Sequence, residues 1–276
     1  MATAGSWVRY WRDEDRPVEA MHAHFRDHVY PPHAHDTYSL GITDAGAQRF
    51  RCRGAAHTSG AGMVMAFNPD EVHDGRAAAE LGYRYRIVHL GPSVVRAVLT
   101  DAGDGRAGAL PLFALPVLTD PALAVALTRL HAALAGGADP LVRDERLTAA
   151  VLAMARRGAS SALRAGRTPS DGMRQQAARR ARALLDEAYP EPVSGERLAE
   201  AAGCSRFALY RAFRAEFGLA PSDYQRQLRL RRARSLLMSG TAPAAAAAAT
   251  GFADQAHFTR WFHRVYGITP GTFSRA

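Results

Sequence analysis

Short runs in which apolar and polar residues alternate fill residues 31–90 of the 276-residue chain. In QRFRCRG, Phe50 and Cys52 alternate with arginines, which is the period-two pattern of a half-buried β-strand. This stretch is part of AQRFRCRG, and the other short runs are TYSLGIT, GMVMAFNP and YRYRIVHL. Gly, Asn, Pro and Asp separate the runs. The pattern predicts short antiparallel strands in a small β-barrel over about residues 18–105, with TYSLGIT and AQRFRCRG as two separate strands.

From Thr119 the apolar positions recur at helical spacing. The stretch TDPALAVALTRLHAALAGG begins with a Thr-Asp-Pro helix start and ends on two glycines, and DPLVRDERLTAAVLAMARRG repeats this form. We therefore predict helices from Asp120 to Ala135 and from Pro140 to Arg157, joined as a helical hairpin over about residues 119–157. The barrel and this hairpin together form a first predicted domain over residues 1–165.

A stretch without clear periodicity follows the second helix. Residues 157–172, RGASSALRAGRTPSDG, are rich in Gly, Ser and Arg and contain one Pro. This composition is typical of a flexible connection, and we assign residues 166–173 to an interdomain linker. The remaining residues, 174–276, form the second predicted domain.

The second domain contains the same pattern twice, in residues 205–226 and 254–275. Both copies fit [S/D]-x3-[L/F]-x-R-x-F-x3-[F/Y]-G-[L/I]-x-P-x2-[Y/F]-x-R. A capping side chain precedes a helix, apolar residues recur every four positions, and Gly and Pro mark the end. The residues that carry this pattern are Ser205, Leu209, Phe213, Phe217, Gly218 and Pro221 in the first copy and Asp254, Phe258, Phe262, Tyr266, Gly267 and Pro270 in the second.

A shorter helix is predicted before each repeated helix. SGERLAEAAG starts at Ser194 and TAPAAAAAATG starts at Thr241, and a tight Gly-containing turn joins each to its repeat. Two helix-turn-helix units result, and in such units the second helix enters the major groove of DNA. Between them Ser222 to Met238 lacks Gly and Pro, so we predict a helical spacer of about 25 Å. With packing on either side, it would hold the two recognition helices about 34 Å apart.

The solvent side of each second helix carries side chains that can contact bases. Arg can donate two hydrogen bonds to guanine, Gln can pair with adenine, and Ala or an aromatic ring can contact a thymine methyl group. The alternative is that the arginines only solubilise a helix face. The candidate DNA-binding residues are Arg206, Phe207, Tyr210 and Arg211 in the first unit and Gln255, Ala256, His257 and Arg260 in the second.

Residues 174–276 resemble the DNA-binding domain of the AraC family of bacterial transcription regulators. The resemblance is carried by CSRFALYRAFRAEFGLAPSDYQRQLRLRRARSLL and TGFADQAHFTRWFHRVYGITPGTFSR. One departure is PAAAAAAT, where the family usually has larger aliphatic residues, so the second unit is expected to bury less apolar area. The resemblance implies base-contacting roles for Phe207, Tyr210, Arg211, Ala256, His257 and Arg260.

The charge distribution agrees with a DNA-binding second domain. Every basic residue is Arg, and from Met173 onward there are 16 Arg against eight Asp and Glu, whereas residues 1–172 are nearly neutral. A basic segment beside a neutral one indicates that the basic part binds a polyanion. Because the N-terminus lacks a secretory signal and no run is long enough for a membrane span, we expect a cytoplasmic protein without a membrane partner.

Three histidines of the first domain are the candidate effector-binding residues. PPHAHDTYSLGITDAG resembles the first cupin motif at His33, His35 and Gly46, but Ser39 stands at the position of the glutamate. The second cupin motif, around His73, is one residue short and lacks its glycine. We expect His33 and His35 on one face of one strand, with His73 returning beside them. Roles as effector-pocket groups, which we prefer, as structural histidines or as metal ligands stay open, and loop positions are expected for His22, His24 and His28.

The first domain resembles the sensing and dimerisation domain of many AraC-like regulators. The resemblance implies a homodimer that binds double-stranded promoter DNA in response to a small-molecule effector, with RNA polymerase as a further partner. No catalytic residue, cofactor or metal is predicted. One candidate dimer surface is the apolar stripe of the first hairpin helix, with packing inside the domain as the alternative; the stripe consists of Leu123, Leu127, Leu130 and Leu134.

The expected fold class is therefore α+β multidomain. An N-terminal cupin-like antiparallel β-barrel with a helical hairpin precedes an all-α domain with two helix-turn-helix units. The preferred function is an effector-responsive, sequence-specific transcription regulator. Two other functions stay open, namely a cupin-type metal-dependent enzyme fused to a DNA-binding module and a ligand-independent dimeric regulator.

Overall fold

The chain forms two compact units, Met1–Arg164 and Ala165–Arg275. The computed structural model describes the backbone of residues 5–13, 16–102, 110–157 and 169–275. Side chains are described at all of these positions except 169–171 and 207. Among the described residues no helix is both long and apolar enough to cross a membrane.

The described part of the first unit contains nine β-strands and three helices. The strands are β1 (Trp7–Arg12), β2 (Val18–Phe25), β3 (Tyr30–His33), β4 (Tyr38–Cys52), β5 (Ala55–Gly60), β6 (Val64–Phe67), β7 (His73–Ala77), β8 (Tyr83–Leu90) and β9 (Val117–Leu118). The helices are α1 (Pro92–Ala102), α2 (Pro121–Ala135) and α3 (Pro140–Arg157), and the last two coincide with the predicted hairpin helices.

The strands form two antiparallel sheets that share β4. The first sheet has the order β1-β2-β8-β4-β6-β9 and uses the N-terminal half of β4. In the second sheet the C-terminal half of β4 pairs with β5 and β7, and β7 pairs with β3. Side chains from both sheets meet in one apolar core, among them Met21, Phe25, Tyr30, Phe50, Phe67 and Tyr85. The predicted antiparallel β-domain is thereby confirmed.

The opposite face of the first sheet packs against the helices. Leu40 and Val88 of the sheet share a buried cluster with Leu127 of α2 and Val151 of α3. The leucine stripe of α2 lies inside this cluster, and its members are at most 8% exposed; they are Leu123, Leu127, Leu130 and Leu134. The stripe is therefore not a dimer surface, because the sheet and α3 already cover it.

The two predicted strands TYSLGIT and AQRFRCRG are one continuous strand, β4. The register against β8 shifts between Thr43 and Ala45, which marks a bulge. Gly46 follows with a φ of +69°, and a Cβ there would collide with the carbonyl oxygen of Gly82. The chain bends here instead of ending the strand, since each half of β4 has its own pairing partners.

The secondary-structure elements described in the second compact unit are all helices. Its elements are α4 (Pro169–Glu187), α5 (Gly195–Ala202), α6 (Arg206–Phe217), α7 (Pro221–Met238), α8 (Pro243–Ala249), α9 (Gln255–Tyr266) and α10 (Pro270–Ser274). Residues 166–168 of the predicted linker lie outside the described residues. Helix α4 extends into the rest of that linker because Pro169 suits the first turn of a helix, where its missing N–H has no intrahelical partner.

Both predicted repeat helices are present with the predicted caps. The Ser205 hydroxyl accepts a hydrogen bond from the Ala208 N–H, and the Asp254 carboxylate accepts one from the His257 N–H. Gly218 and Gly267 end the helices in the left-handed conformation. Two helix-turn-helix units, α5–α6 and α8–α9, follow from these local signals.

The alanine-rich helix α8 buries only small side chains. Ala246 and Ala247 are fully buried, and the Thr250 hydroxyl donates to the Ala246 carbonyl at 2.7 Å. Two buried aromatic side chains follow the helix, Phe252 in the turn and Phe258 on α9, with ring centroids 5.2 Å apart. In the second helix-turn-helix unit the large buried side chains thus come from the turn and from α9, not from α8.

Gly251 offers a test of this packing. It has a φ of +77°, and a Cβ there would collide with the Pro190 carbonyl oxygen, whereas Gly240, with a φ of +85°, has open space around it. Gly240→Ala should lower the free energy of unfolding by about 1–2 kcal/mol through backbone strain alone. Gly251→Ala should cost at least about 1 kcal/mol more in urea denaturation of the full chain. Equal losses would contradict the close contact with Pro190.

Candidate DNA-binding surface and histidine cluster

Helix α6 exposes its candidate DNA-binding residues because its opposite face is anchored in the core. Leu209 and Phe213 are fully buried against α4 and α5. Phe207 lies on α6, but its side chain is outside the described part of the structure. The candidate side chains that face solvent are those of Arg206, Tyr210 and Arg211.

Two of these exposed side chains also contact helix α5. Arg206 forms an ion pair with Glu196, with a nitrogen–oxygen distance of 2.5 Å and both side chains more than 60% exposed. Water screens exposed pairs of this kind, so the Arg206 guanidinium can leave the carboxylate at little cost. The Tyr210 hydroxyl lies against Gly195, where a Cβ would collide with it.

Helix α9 is oriented by Phe258 and Phe262, which are fully buried. His257 is partly buried and makes an edge contact with the Phe252 ring, with centroids 5.5 Å apart. The candidate residues exposed to solvent on this helix are Gln255, Ala256 and Arg260. Each recognition helix therefore presents a polar face that includes at least one exposed arginine.

Helix α7 is attached to both helix-turn-helix units. On one side the Tyr224 hydroxyl donates to Asp186 of α4 at 2.7 Å, and its ring packs 5.5 Å from Phe213 of α6. On the other side the Arg226 guanidinium lies 3.9 Å from the ring centroid of Trp261 on α9. With 18 residues, α7 is about 27 Å long, close to the predicted spacer.

Arg229 of α7 connects the loop before the first unit to the turn of the second. Its Nε donates to the Tyr189 carbonyl and its Nη1 to the Gly251 carbonyl, both at 2.7 Å. Its Nη2 donates to the Glu191 carbonyl at 3.0 Å. We call residues 189–191 the 189–191 loop. One guanidinium thus fixes this loop against the turn of α8–α9, and sequence patterns contain no signal for it.

The contribution of Arg229 can be measured by truncation. Arg229→Ala should lower the free energy of unfolding by about 1–3 kcal/mol, because the four backbone carbonyls to which Arg229 donates lose a charged donor. Arg197→Ala, on an exposed position of α5 in the same compact unit, removes the same charge and should change stability by less than about 0.5 kcal/mol. Urea denaturation measures the free energy of unfolding of both variants. Similar losses in the two would show that Arg229 acts only as a surface charge.

The three candidate effector-binding histidines come together in the first unit. One ring nitrogen from each of His33, His35 and His73 lies within 4.8 Å of those from the other two. His33 and His73 are buried and form a register pair between β3 and β7, while His35 is partly buried. The Phe67 ring stacks on His73 at 3.8 Å. We call these three residues the histidine cluster.

The expectation that His33 and His35 share one strand is wrong. Strand β3 ends at His33, and the chain leaves the sheet at this point, where the His35 carbonyl accepts from the Asp70 N–H at 2.6 Å. The two rings are still close, with centroids 4.9 Å apart. His35 therefore reaches the cluster from the segment after β3, and not because side chains alternate along a strand.

His89 of β8 is a fourth histidine beside the cluster that the sequence analysis missed. Its ring centroid lies 4.9 Å from that of His35, and its Nδ1 is 2.9 Å from the Ser39 hydroxyl on the neighbouring strand. Alternation in YRYRIVHL could have located it, because Tyr83, Tyr85 and His89 share one face of β8. Ser39, at the cupin glutamate position, therefore contacts another imidazole.

Burial lowers the pKa of two histidines at this site, His73 and His89. Burial, with a further contribution from nearby His33, lowers the pKa of His89 to about 4. The pKa of His73 is also held well below its usual range, mainly by burial. Cys52, the register partner of His73 on β4, has a pKa raised to about 12 because it is buried and close to Glu71. At neutral pH the imidazoles of His73 and His89 are therefore uncharged and the Cys52 thiol is protonated.

His22 and His24 lie on strand β2 and not in loops, whereas His28 follows the strand in a connecting segment. His22 and His24 lie on the face of β2 opposite to that of the core residues Met21 and Ala23. His22 contacts Asp44 at 3.2 Å and packs edge-on against His131 of α2, with ring centroids 6.0 Å apart. His22 therefore packs between the sheet and α2, whereas the His24 ring lies 6.5 Å from that of Trp7 on β1.

His131 makes the first unit sensitive to acid. Its Nε2 lies 3.2 Å from the Met21 carbonyl, and burial, together with Arg86 and His22, lowers its pKa to about 4. Since the unfolded pKa is about 6.5, protonation favours unfolding, and stability is lost as the pH falls from 6.5 toward 4. His131→Gln keeps an N–H donor without titrating, so its urea midpoint should fall less between pH 7 and pH 5 than that of the parent. Parallel declines would contradict this role.

A separate pocket of about 350 Å³ opens in the same unit. Its apolar lining includes Tyr30, Phe50 and Gly75, and its polar lining includes arginines; these are Arg49, Arg51 and Arg76. The members of the histidine cluster are not among the residues that line it. The cluster and this pocket are thus two distinct features of the first unit.

Each of the two compact units matches a known protein family. Residues 17–151 match a family described as the AraC-like ligand binding domain, and residues 198–276 match a helix-turn-helix domain. YbfI, an uncharacterized HTH-type transcriptional regulator of Bacillus subtilis (strain 168), is 29% identical over 230 residues, 83% of this chain and 81% of that protein. GlxA, an HTH-type regulator of Rhizobium meliloti (strain 1021), is 38% identical over 92 residues, 33% of this chain and 28% of that protein.

Solved structures of ToxT from Vibrio cholerae share the fold. An apo ToxT variant has a TM-score of 0.54 and 10% identity, with 99% of this chain and 97% of that chain covered. A ToxT structure with a bound unsaturated fatty acid has a TM-score of 0.53 and 10% identity, with 98% and 95% covered. At this identity the likeness concerns the fold alone.

The fold, the two helix-turn-helix units and the matched domains define a DNA-binding transcription regulator that carries a ligand-binding domain. The chain belongs to the AraC family. Because its relatives are transcription regulators, an enzymatic role is disfavoured.

Proposed function

We propose that α6 and α9 enter successive major grooves of promoter DNA. The observation that carries this proposal is that both helices expose arginines and are attached to one continuous helix, α7. Successive major grooves on one face of DNA lie about 34 Å apart, a distance suited to helices on either side of a rod of about 27 Å. The proposed contacts are made by Arg206, Tyr210, Arg211, Gln255, Ala256, His257 and Arg260, with Phe207 included on the sequence alone.

The histidine cluster is the proposed contact point for a small-molecule effector in the first unit. Membership of the AraC-like ligand binding domain family supports a ligand, and buried imidazoles in an apolar core support this position. Desolvating polar groups is costly unless they are paired, so a function is a reasonable cause for their presence. Binding of the effector would shift the affinity of the second unit for DNA.

We further propose a homodimer assembled through residues 1–164. Support comes from the resemblance to sensing and dimerisation domains, while the leucine stripe of α2 is excluded as the surface by its burial. A regulator that acts on promoter DNA works beside the chromosome and RNA polymerase. We therefore place it in the cytoplasm, with RNA polymerase as a partner.

Base contacts by Arg211 and Arg260 can be tested by alanine substitution. Each variant should lose about 1–3 kcal/mol of binding free energy on operator DNA and much less on a scrambled duplex, because a forked contact to guanine discriminates sequence. Arg180→Ala, on an exposed position of α4, removes the same charge as a control and should leave the specificity ratio unchanged. Titrations of operator and scrambled duplexes measure both; equal losses on the two would make that arginine a phosphate contact.

Assembly can be tested with fragments along the boundary between the units. Sedimentation should give a dimer for the full chain and for residues 1–164, and a monomer for residues 165–276. The reason is that the segment from Met173 onward carries 16 Arg against eight Asp and Glu, and this net positive charge opposes self-association. A dimeric 165–276 fragment would contradict the proposed assembly.

A further inference from the structure

We propose that His33, His35 and His73 bind a divalent transition metal ion, of which Zn²⁺ is the best match. The starting observation is convergence, because one ring nitrogen from each histidine lies within 4.8 Å of the other two. Nitrogens bound to Zn²⁺ at 2.0–2.1 Å in tetrahedral geometry lie about 3.4 Å from one another. Side-chain rotations that move each nitrogen by about 1 Å therefore suffice to form the site.

In two cluster members one ring nitrogen is held against a backbone carbonyl. The Nδ1 of His33 lies 2.7 Å from the Pro31 carbonyl, and the Nδ1 of His73 lies 2.9 Å from the Glu71 carbonyl. A carbonyl oxygen only accepts hydrogen bonds, so each Nδ1 carries the proton and donates. The lone pair of each ring is therefore on Nε2, and a backbone carbonyl behind a histidine is the usual outer partner in metal sites.

The ring of His73 is also held in place by packing. Phe67 stacks on it with an interplanar angle of 2°. The backbone of His73 pairs with both neighbouring strands, opposite His33 on β3 and opposite Cys52 on β4. A ligand that is fixed by its strand, its stacking partner and its hydrogen bond loses little conformational freedom when a metal binds.

The donor set favours borderline metals over Mg²⁺ or Ca²⁺. Three imidazoles suit Zn²⁺, Ni²⁺, Co²⁺ or Cu²⁺, whereas Mg²⁺ and Ca²⁺ require oxygen ligands. The nearby Glu71 supplies its carbonyl to His73, while its carboxylate accepts hydrogen bonds from Arg53 and from the Asn68 N–H. The carboxylate is thus already used in fixing the loop between β6 and β7.

Three protein ligands leave a coordination position for an exogenous donor, as in zinc sites that bind water or substrate. Neutral imidazoles leave the metal charge uncompensated, so an anionic oxygen donor would be favoured there. His89, held by Ser39, lies next to His35 and can hydrogen-bond to such a ligand. This last step rests on the proposed effector-binding function; the metal site itself does not.

The test is a titration of the metal-free full chain with Co²⁺, whose absorption in the visible range reports ligand number, followed by displacement with Zn²⁺. The parent should bind one Co²⁺ per chain, lose its signal to Zn²⁺ and gain thermal stability with either ion. His35→Ala removes a partly buried ligand and should lower the affinity on the order of 100-fold. His24→Ala, on strand β2 outside the cluster, is the matched control and should bind as the parent does.

The outcomes separate the metal site from the other proposals. A parent that is folded by circular dichroism but does not bind Co²⁺ or Zn²⁺ at micromolar concentration would overturn the site, as would His35→Ala binding with parental affinity. Operator binding by the same metal-free samples is measured in parallel. Metal binding without operator binding would count against the proposed DNA contacts and leave the metal site standing.

Discussion

The arrangement of the second unit depends on the contact between the 189–191 loop and the turn of the second helix-turn-helix unit. The Pro190 carbonyl lies so close to Gly251 that any side chain there would collide with it, and Arg229 donates to carbonyls on both sides of the contact. The loop leads into α5 and the turn leads into α9, so this contact links the two helix-turn-helix units directly. The position of one recognition helix is therefore coupled to that of the other.

Helix α7 extends the same constraint along its length. Aromatic and arginine side chains attach it to α4 and α6 at one end and to α9 and α10 further along, through Tyr224, Arg226 and Arg234. In the first compact unit, strand β4 likewise connects two parts of the fold, because its two halves belong to different sheets. Sharing that strand brings His73 of the second sheet close to His89 of the first, and the polar cluster follows from this topology.

Local signals in the sequence were sufficient for most of the fold. The caps Ser205 and Asp254 and the glycines after each repeat helix depend on neighbouring residues only, and the structure has them as predicted. Long-range features were not predictable in this way. The continuity of β4, the burial of the leucine stripe and the Arg229 contacts each depend on partners far along the chain. His89 lies between these cases, because strand alternation gives its face but not its neighbours.

The most direct test of the central claim, a fixed spacing of the two recognition helices, is a spacing series on the operator. Affinity of the full chain would be measured by titration for the parent operator and for operators with 5 or 10 base pairs inserted between the sites contacted by α6 and α9. Since α7 and Arg229 fix the helices, both insertions should weaken binding at least about tenfold, the cost of losing one unit's base contacts. Parental affinity for the 10-base-pair insertion, which restores the helical face, would show a flexible connection and contradict the account.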